Sequence, residues 1–235
     1  MIEIYAISIN SDYPKNEFER IIKFLDKEKQ DKLRRLKFFE DALRTLAGEI
    51  IIRNIVKRKY NINFEDMIFK KNINGKPYID NLKDFQYNIS HSGKWVVCAI
   101  SDDLIGIDIE KIKETNFKVA KRFFSKAEYE DLSNKVSGIK TEYFYDIWTL
   151  KEAYLKAIGT GLTVPLNSFT LKKENEEIYI KTKDKDYNCK FKQYELDKDY
   201  KLSVCAENEG FPNEIKKLTL NEITKEFISI NIKNY

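Results

Sequence analysis

The stretch FQYNISHSGKWVVCAISDDLIGIDIE, Phe85–Glu110, decides the fold. Its β-prone runs are broken by turn-forming residues and predict three consecutive strands, at Phe85–Ser90, Trp95–Ser101 and Leu104–Glu110. HSGK supplies the first turn, with His91 in it, and the Asp102-Asp103 pair supplies the second. Strands joined by such short turns imply an antiparallel meander. Side chains alternate along a strand, so Ile107 and Ile109 share one face of the last strand, and Asp108 and Glu110 share the other.

Two acids on one strand face call for a reason. At i and i+2 they lie about 6–7 Å apart at the backbone, and like charges so close are unfavourable unless a proton or a cation relieves them. Oxygen-only ligands suit a hard ion, Mg²⁺ above all. On a solvated face the same pair would simply meet water.

Outward from this block, the chain reads as α+β. N-terminal to it, a strand is expected at Ile2–Ile9, helical periodicity from Glu17 to Arg35, and a long helix over Asp41–Tyr60 capped near Asp41. INGKPYI carries an Asn-Gly hairpin signal. C-terminal to it, Ser125 and Glu128 fit a capping box, and a strong helix runs from Thr141 to Ile158, ending at Gly159 and Gly161. Four short β-prone runs follow: SFTLK, EIYIKT, CKFKQYEL and KLSVCAE. Each half thus holds helices with an antiparallel sheet. Two halves meeting at a cleft are expected, 1–102 and 103–235.

The bulk numbers fit such a domain pair. The 235 residues are 42% hydrophobic and 34% charged, which gives a globular chain with a sizeable core. Three dispersed cysteines without a CxxC pair indicate neither a disulfide framework nor a zinc site, and point to a reducing cytoplasm. Glu3 interrupts an N-terminus without a cationic start, and no apolar run approaches spanning length, so neither a signal peptide nor a membrane segment is expected. The net charge is +4, but basic residues cluster in KFLDKEKQDKLRRLK and RNIVKRKY, which favours acidic partners.

A second constellation lies in WTLKEAYLKAIGTGL, Trp148–Leu162. Phe144, Ile147, Tyr154 and Ile158 form an inward apolar stripe. Trp148, Glu152 and Lys156 share another face at i, i+4 and i+8. Spacing alone supports two readings equally: a surface Glu–Lys pair, or a third oxygen ligand beside a cation for a bound phosphate. The only histidine, His91, cannot serve a triad with its neighbour Ser90, because adjacent strand residues point apart. Beside Ser90, Ser92 and Gly93 it suits hydrogen bonding to a phosphate.

Together, NISHSGKW, GIDIEK, FFSKAEY and WTLKEAYLKAIGTGL resemble the 4′-phosphopantetheinyl transferases, in particular the surfactin-synthetase-activating branch. The likeness extends through EKQDKLRRLKFFEDALRTLAGE and INGKPYI and weakens over the C-terminal tail. It implies a monomeric pseudo-dimer of two α+β halves with coenzyme A in the cleft. The implied reaction is Mg²⁺-dependent transfer of 4′-phosphopantetheine to a serine of an acyl or peptidyl carrier protein of fatty-acid, polyketide or nonribosomal peptide synthases. By the same resemblance Asp108, Glu110 and Glu152 match metal ligands. Asp108, Glu152 and Lys156 match the catalytic set, with Glu152 also the candidate base and Lys156 beside the pyrophosphate. Lys29, Lys32, Arg44, Thr45, Lys76, Ser90, His91 and Lys156 match coenzyme A contacts. Two rivals remain: a metal-dependent phosphohydrolase using the same acids, and a basic nucleic-acid module. The second lacks exposed aromatics interleaved with its basic residues.

Overall fold

A computed structural model describes residues 1–174, 177–182 and 187–232. In chain order the elements are β1 (Glu3–Ser8), α1 (Lys15–Ile22), α2 (Lys27–Arg35), α3 (Phe39–Tyr60), β2 (Phe69–Lys71), β3 (Pro77–Ile79), β4 (Gln86–Ser92), β5 (Trp95–Ser101) and β6 (Ile105–Lys111). Then follow α4 (Lys118–Phe123), α5 (Lys126–Asn134), α6 (Ser137–Ile158), β7 (Thr170–Glu174), β8 (Glu177–Lys181), β9 (Lys190–Tyr194), β10 (Tyr200–Ala206), β11 (Lys216–Thr219) and α7 (Leu220–Ile232).

The α+β expectation holds, but the meander does not. One sheet has the order β11-β1-β5-β4 and a second the order β6-β10-β9. β4 and β5 form the expected hairpin, whereas β6 leaves β5 and pairs antiparallel with β10, Asp108 opposite Ser203. The reason is burial on both faces of β6. Ile107 and Ile109 pack with Ile4, Ala6, Val97 and Ala99 of the first sheet, so the two sheets lie face to face. The opposite face of β6 lies against α6. Continuing the meander would have left one of these faces in water.

Contact with α6 is closest at Gly106, where a Cβ would stand 2.1 Å from the Ala153 carbonyl oxygen and 2.4 Å from the Ala157 nitrogen. Both atoms are backbone and cannot swing away. Gly106→Ala is therefore expected to lower folding stability by about 1–3 kcal/mol through overpacking, read from urea midpoints. An unchanged midpoint would contradict the close approach.

Other local expectations are refined. The helix expected over Glu17–Arg35 is two, because Asp26 breaks it and caps α2, accepting from the Lys29 N–H at 2.9 Å. Asp41 is not the cap of α3; Phe38 stands there and Asp41 lies in the first turn. His91 is not in a turn: β4 runs through Ser92, and Gly93-Lys94 forms a two-residue turn with Gly93 at φ 54°. The capping box of α5, the hairpin at Asn74-Gly75, and the end of α6 at Gly159 all form as read. The terminal segment crosses back to the first sheet: β11 runs parallel to β1, and Leu220, Ile223 and Phe227 of α7 join the core around α3.

Candidate active site

The site is built on the outer edge of β6. One edge of this strand pairs with β10, and the other meets side chains in place of a strand. On β4, Asn88, Ser90 and Ser92 share a face at i, i+2 and i+4. Asn88 Oδ1 accepts the Ile107 N–H at 2.9 Å, Ser90 Oγ the Ile109 N–H at 3.4 Å, and Ser92 Oγ the Lys111 N–H at 3.0 Å. The carbonyls of the same edge take lysine ammoniums. Lys76 donates to Ile105 O at 3.0 Å and Lys156 to Ile107 O at 3.3 Å. An edge that would otherwise carry orphan backbone groups is thereby satisfied.

This arrangement gathers the acids. Asp108 is 3% exposed; its Oδ1 accepts from Ser90 Oγ at 2.8 Å and from Lys156 Nζ at 2.6 Å. Lys156 also donates to Ser90 Oγ at 2.9 Å. The expected alternatives for Glu152 and Lys156 are thus decided in one respect: the ion pair of Lys156 reaches across to Asp108, from α6 to β6. Glu110 Oε2 accepts from Ser92 Oγ at 2.9 Å. Burial and the Asp108 charge raise the pKa of both Glu152 and Glu110, while Lys156 works against them and Ser92 further lowers that of Glu110.

Can these residues hold a cation? Asp108 Oδ2 is buried and has no hydrogen-bond partner, which leaves a strong acceptor unsatisfied inside the site. The repulsion of Glu110 and of Glu152 by Asp108 is of the kind a divalent ion relieves, and an all-oxygen donor set suits Mg²⁺. Among the described residues no group of three His, Cys, Asp or Glu side chains is placed to hold a metal ion as it stands; the Lys156 ammonium sits on Asp108.

Of the remaining candidates, Lys76 lines one cleft, Lys29 and Lys32 line another, and Arg44, Thr45 and His91 line neither. A cleft of about 240 Å³ is lined by Lys76, Asn88, Glu152, Leu155, Lys156 and Gly159. Arg44 donates to Gly93 O at 2.7 Å, and its charge reaches His91. The surrounding protein, Arg44 and Lys156 together lower the His91 pKa, which favours a neutral imidazole. Thr45 is turned onto its own helix and donates to Asp41 O at 2.9 Å. Lys29 and Lys32 lie elsewhere, on a cleft of about 1110 Å³ that shares Pro77 with the smaller one. There Lys29 is paired with Glu49 and stands over the Phe69 ring at 4.4 Å.

Lys76 has a structural task as well. It donates to Ala157 O at 2.7 Å, beside Asn72 and Asn74, whose amides donate to Gly159 O at 3.0 and 3.1 Å. The β2–β3 loop thus satisfies carbonyls at the C-terminus of α6. Burial pulls the Lys76 pKa from 10.5 to about 8. Between those values the folded chain binds fewer protons here than the unfolded chain, so this group makes stability rise with pH across that window. Lys76→Met is expected to remove the rise, read as the difference between urea series on the two proteins at each end of the window. Parallel series would contradict it.

Sequence reasoning missed three contributors. Asn88 and Ser92 were legible as polar residues at every second position of NISHS, flanking Ser90 on one strand face. Lys151 falls on the apolar stripe of Phe144, Ile147 and Tyr154, and a lysine at such a position signals a buried partner. That partner is Glu128, at 2.8 Å with both side chains almost fully buried.

Comparison with known proteins identifies the family. The family model "4′-phosphopantetheinyl transferase, N-terminal" matches residues 13–103, and that of the 4′-phosphopantetheinyl transferase superfamily matches residues 104–205. The chain is 41% identical to the 4′-phosphopantetheinyl transferase Sfp of Bacillus subtilis (strain 168), over 94% of this chain and 100% of that one. It belongs to the 4′-phosphopantetheinyl transferase family. The transferase is also 37% identical to 4′-phosphopantetheinyl transferase gsp of Aneurinibacillus migulanus, over 97% of this chain and 96% of that one. A further relative, 4′-phosphopantetheinyl transferase ffp of Bacillus subtilis, is 38% identical over 93% and 98%. The transferase carries Asp108 and Glu110 on β6 and Glu152 and Lys156 on α6, beside the edge strand β4. None of its described helices is long and apolar enough to cross a membrane.

Proposed function

We propose that this transferase moves 4′-phosphopantetheine from coenzyme A to a serine of an apo carrier protein, as a Mg²⁺-dependent monomer of the cytoplasm. The observation that carries the reading is Asp108: a buried carboxylate with one oxygen on Lys156 and the other without a partner. The supporting pattern is the joint presence of Glu110, Glu152 and Lys156 around it. The division into halves at 102/103 belongs to the same proposal, with residues 216–232 returning to the first half's sheet.

In the reaction the serine oxygen bonds to the phosphorus that carries pantetheine. The bond from that phosphorus to the bridging oxygen breaks, releasing adenosine 3′,5′-bisphosphate, and the serine proton passes to Glu152. Asp108, Glu110 and Glu152 would hold Mg²⁺. A bound ion there would supply charge neutralisation at the pyrophosphate and polarisation of the attacked phosphorus. Lys156 adds a fixed positive charge, and positioning with charge neutralisation carries most of phosphoryl transfer. Arg44, Thr45, Lys76, Ser90 and His91 would contact coenzyme A, and so would Lys29 and Lys32 from the larger cleft. The basic clusters favour an acidic carrier, whether from a fatty-acid, polyketide or nonribosomal peptide synthase.

The test separates a transferase from a hydrolase. Coenzyme A is incubated with enzyme and Mg²⁺, with and without an apo carrier, and adenosine 3′,5′-bisphosphate is followed by chromatography. Release only when carrier is present is the expected result. Equal release without carrier would mean that water is the acceptor.

A further inference from the structure

The edge of β6 contains a repeat that the residues assigned so far do not exhaust. Ser90 accepts the N–H of Ile109 and donates to the acid one residue earlier, Asp108. Ser92 does the same one strand period later: it accepts the N–H of Lys111 and donates to Glu110 Oε2 at 2.9 Å. A hydroxyl has one proton to give, so the backbone bond on the Ser92 oxygen leaves its hydrogen for the carboxylate. Glu110 has three side-chain torsions and would otherwise sample many orientations. Ser92 is only half-buried, so its hydroxyl contributes little to packing.

We propose that Ser92 is a positioning residue that orients Glu110 toward a divalent cation. This rests on the reading of Asp108, Glu110 and Glu152 as ligands. Removing a hydrogen-bond partner that orients a ligand typically weakens metal affinity by about 10–100-fold. No comparable coupling is expected from a hydroxyl that served the strand edge alone.

Mn²⁺ is the probe, titrated into the full chain at fixed coenzyme A, with free Mn²⁺ counted by its EPR signal against a protein-free blank. Ser92→Ala is expected to raise the apparent Kd at least about tenfold, while Ser92→Thr, which keeps the hydroxyl, stays near wild type. Thermal unfolding without metal confirms that each variant is folded, and Ser92→Cys replaces the alanine variant if that one is not. Wild-type affinity in Ser92→Ala, or equal weakening in alanine and threonine variants, would overturn the role of the hydroxyl alone. Absence of stoichiometric Mn²⁺ binding by the wild-type chain would overturn the metal reading, and this inference with it.

Discussion

Asp108→Asn is expected to lower kcat/KM for transfer by about 10³-fold. The side chain keeps its shape, so packing on β6 is preserved and the loss reports on charge. In the folded chain Asp108 Oδ1 holds both Lys156 Nζ and Ser90 Oγ. An amide there cannot neutralise the ammonium, and it puts an NH2 group, which donates and cannot accept, in place of one oxygen, here the one that lies buried without a partner if the amide oxygen stays on Lys156. Lys156 would lose its anchor on β6, and the cation at the reacting phosphates would be misplaced. Steady-state kinetics with saturating Mg²⁺ and an apo carrier measure this, and the drop should appear in kcat as well as in kcat/KM. A variant within tenfold of wild type would remove Asp108 from the chemistry.

Lys151→Met is expected to cost about 3–5 kcal/mol of folding stability. Lys151 is fully buried and donates to Leu166 O and Phe169 O, both at 2.8 Å, as well as to Glu128. Glu128 in turn accepts the N–H groups of Ser125 and Leu171, both at 2.7 Å. The pair therefore ties α5, α6 and β7 at one point. Methionine fills the space but strands the Glu128 carboxylate in the core. The double variant Lys151→Met/Glu128→Gln should recover a large part of the loss, since the amide oxygen can still accept while the charge is gone. Guanidinium midpoints for the single and double variants give the comparison. A single variant within 1 kcal/mol of wild type would mean that the carboxylate finds another partner.

Much of this was legible in the sequence, and the part that was not has a physical cause. Ile107 and Ile109 read as a core face from alternation alone, and they are buried between the sheets. Local devices were equally plain: the capping box at Ser125 and the Asn74-Gly75 turn depend on residues a few positions apart. Strand pairing was not legible. β6 follows β5 after a short turn yet pairs with β10, nearly a hundred residues on, because both of its faces need cover. The same holds for Lys156. Its neighbour one turn away, Glu152, suggested a local pair, while its partner lies across the fold on β6. The motif singled out Asp108, Glu110, Glu152 and Lys156 as candidates; only the fold brings Ser90, Asp108 and Lys156 within hydrogen-bonding distance of one another.

The most direct test of the proposed reaction is the intact mass of an apo carrier domain after incubation with the enzyme, coenzyme A and Mg²⁺. The account predicts a gain of one phosphopantetheine, absent when the acceptor serine of the carrier is replaced by alanine. No mass gain across fatty-acid, polyketide and peptide-synthetase carriers would contradict it.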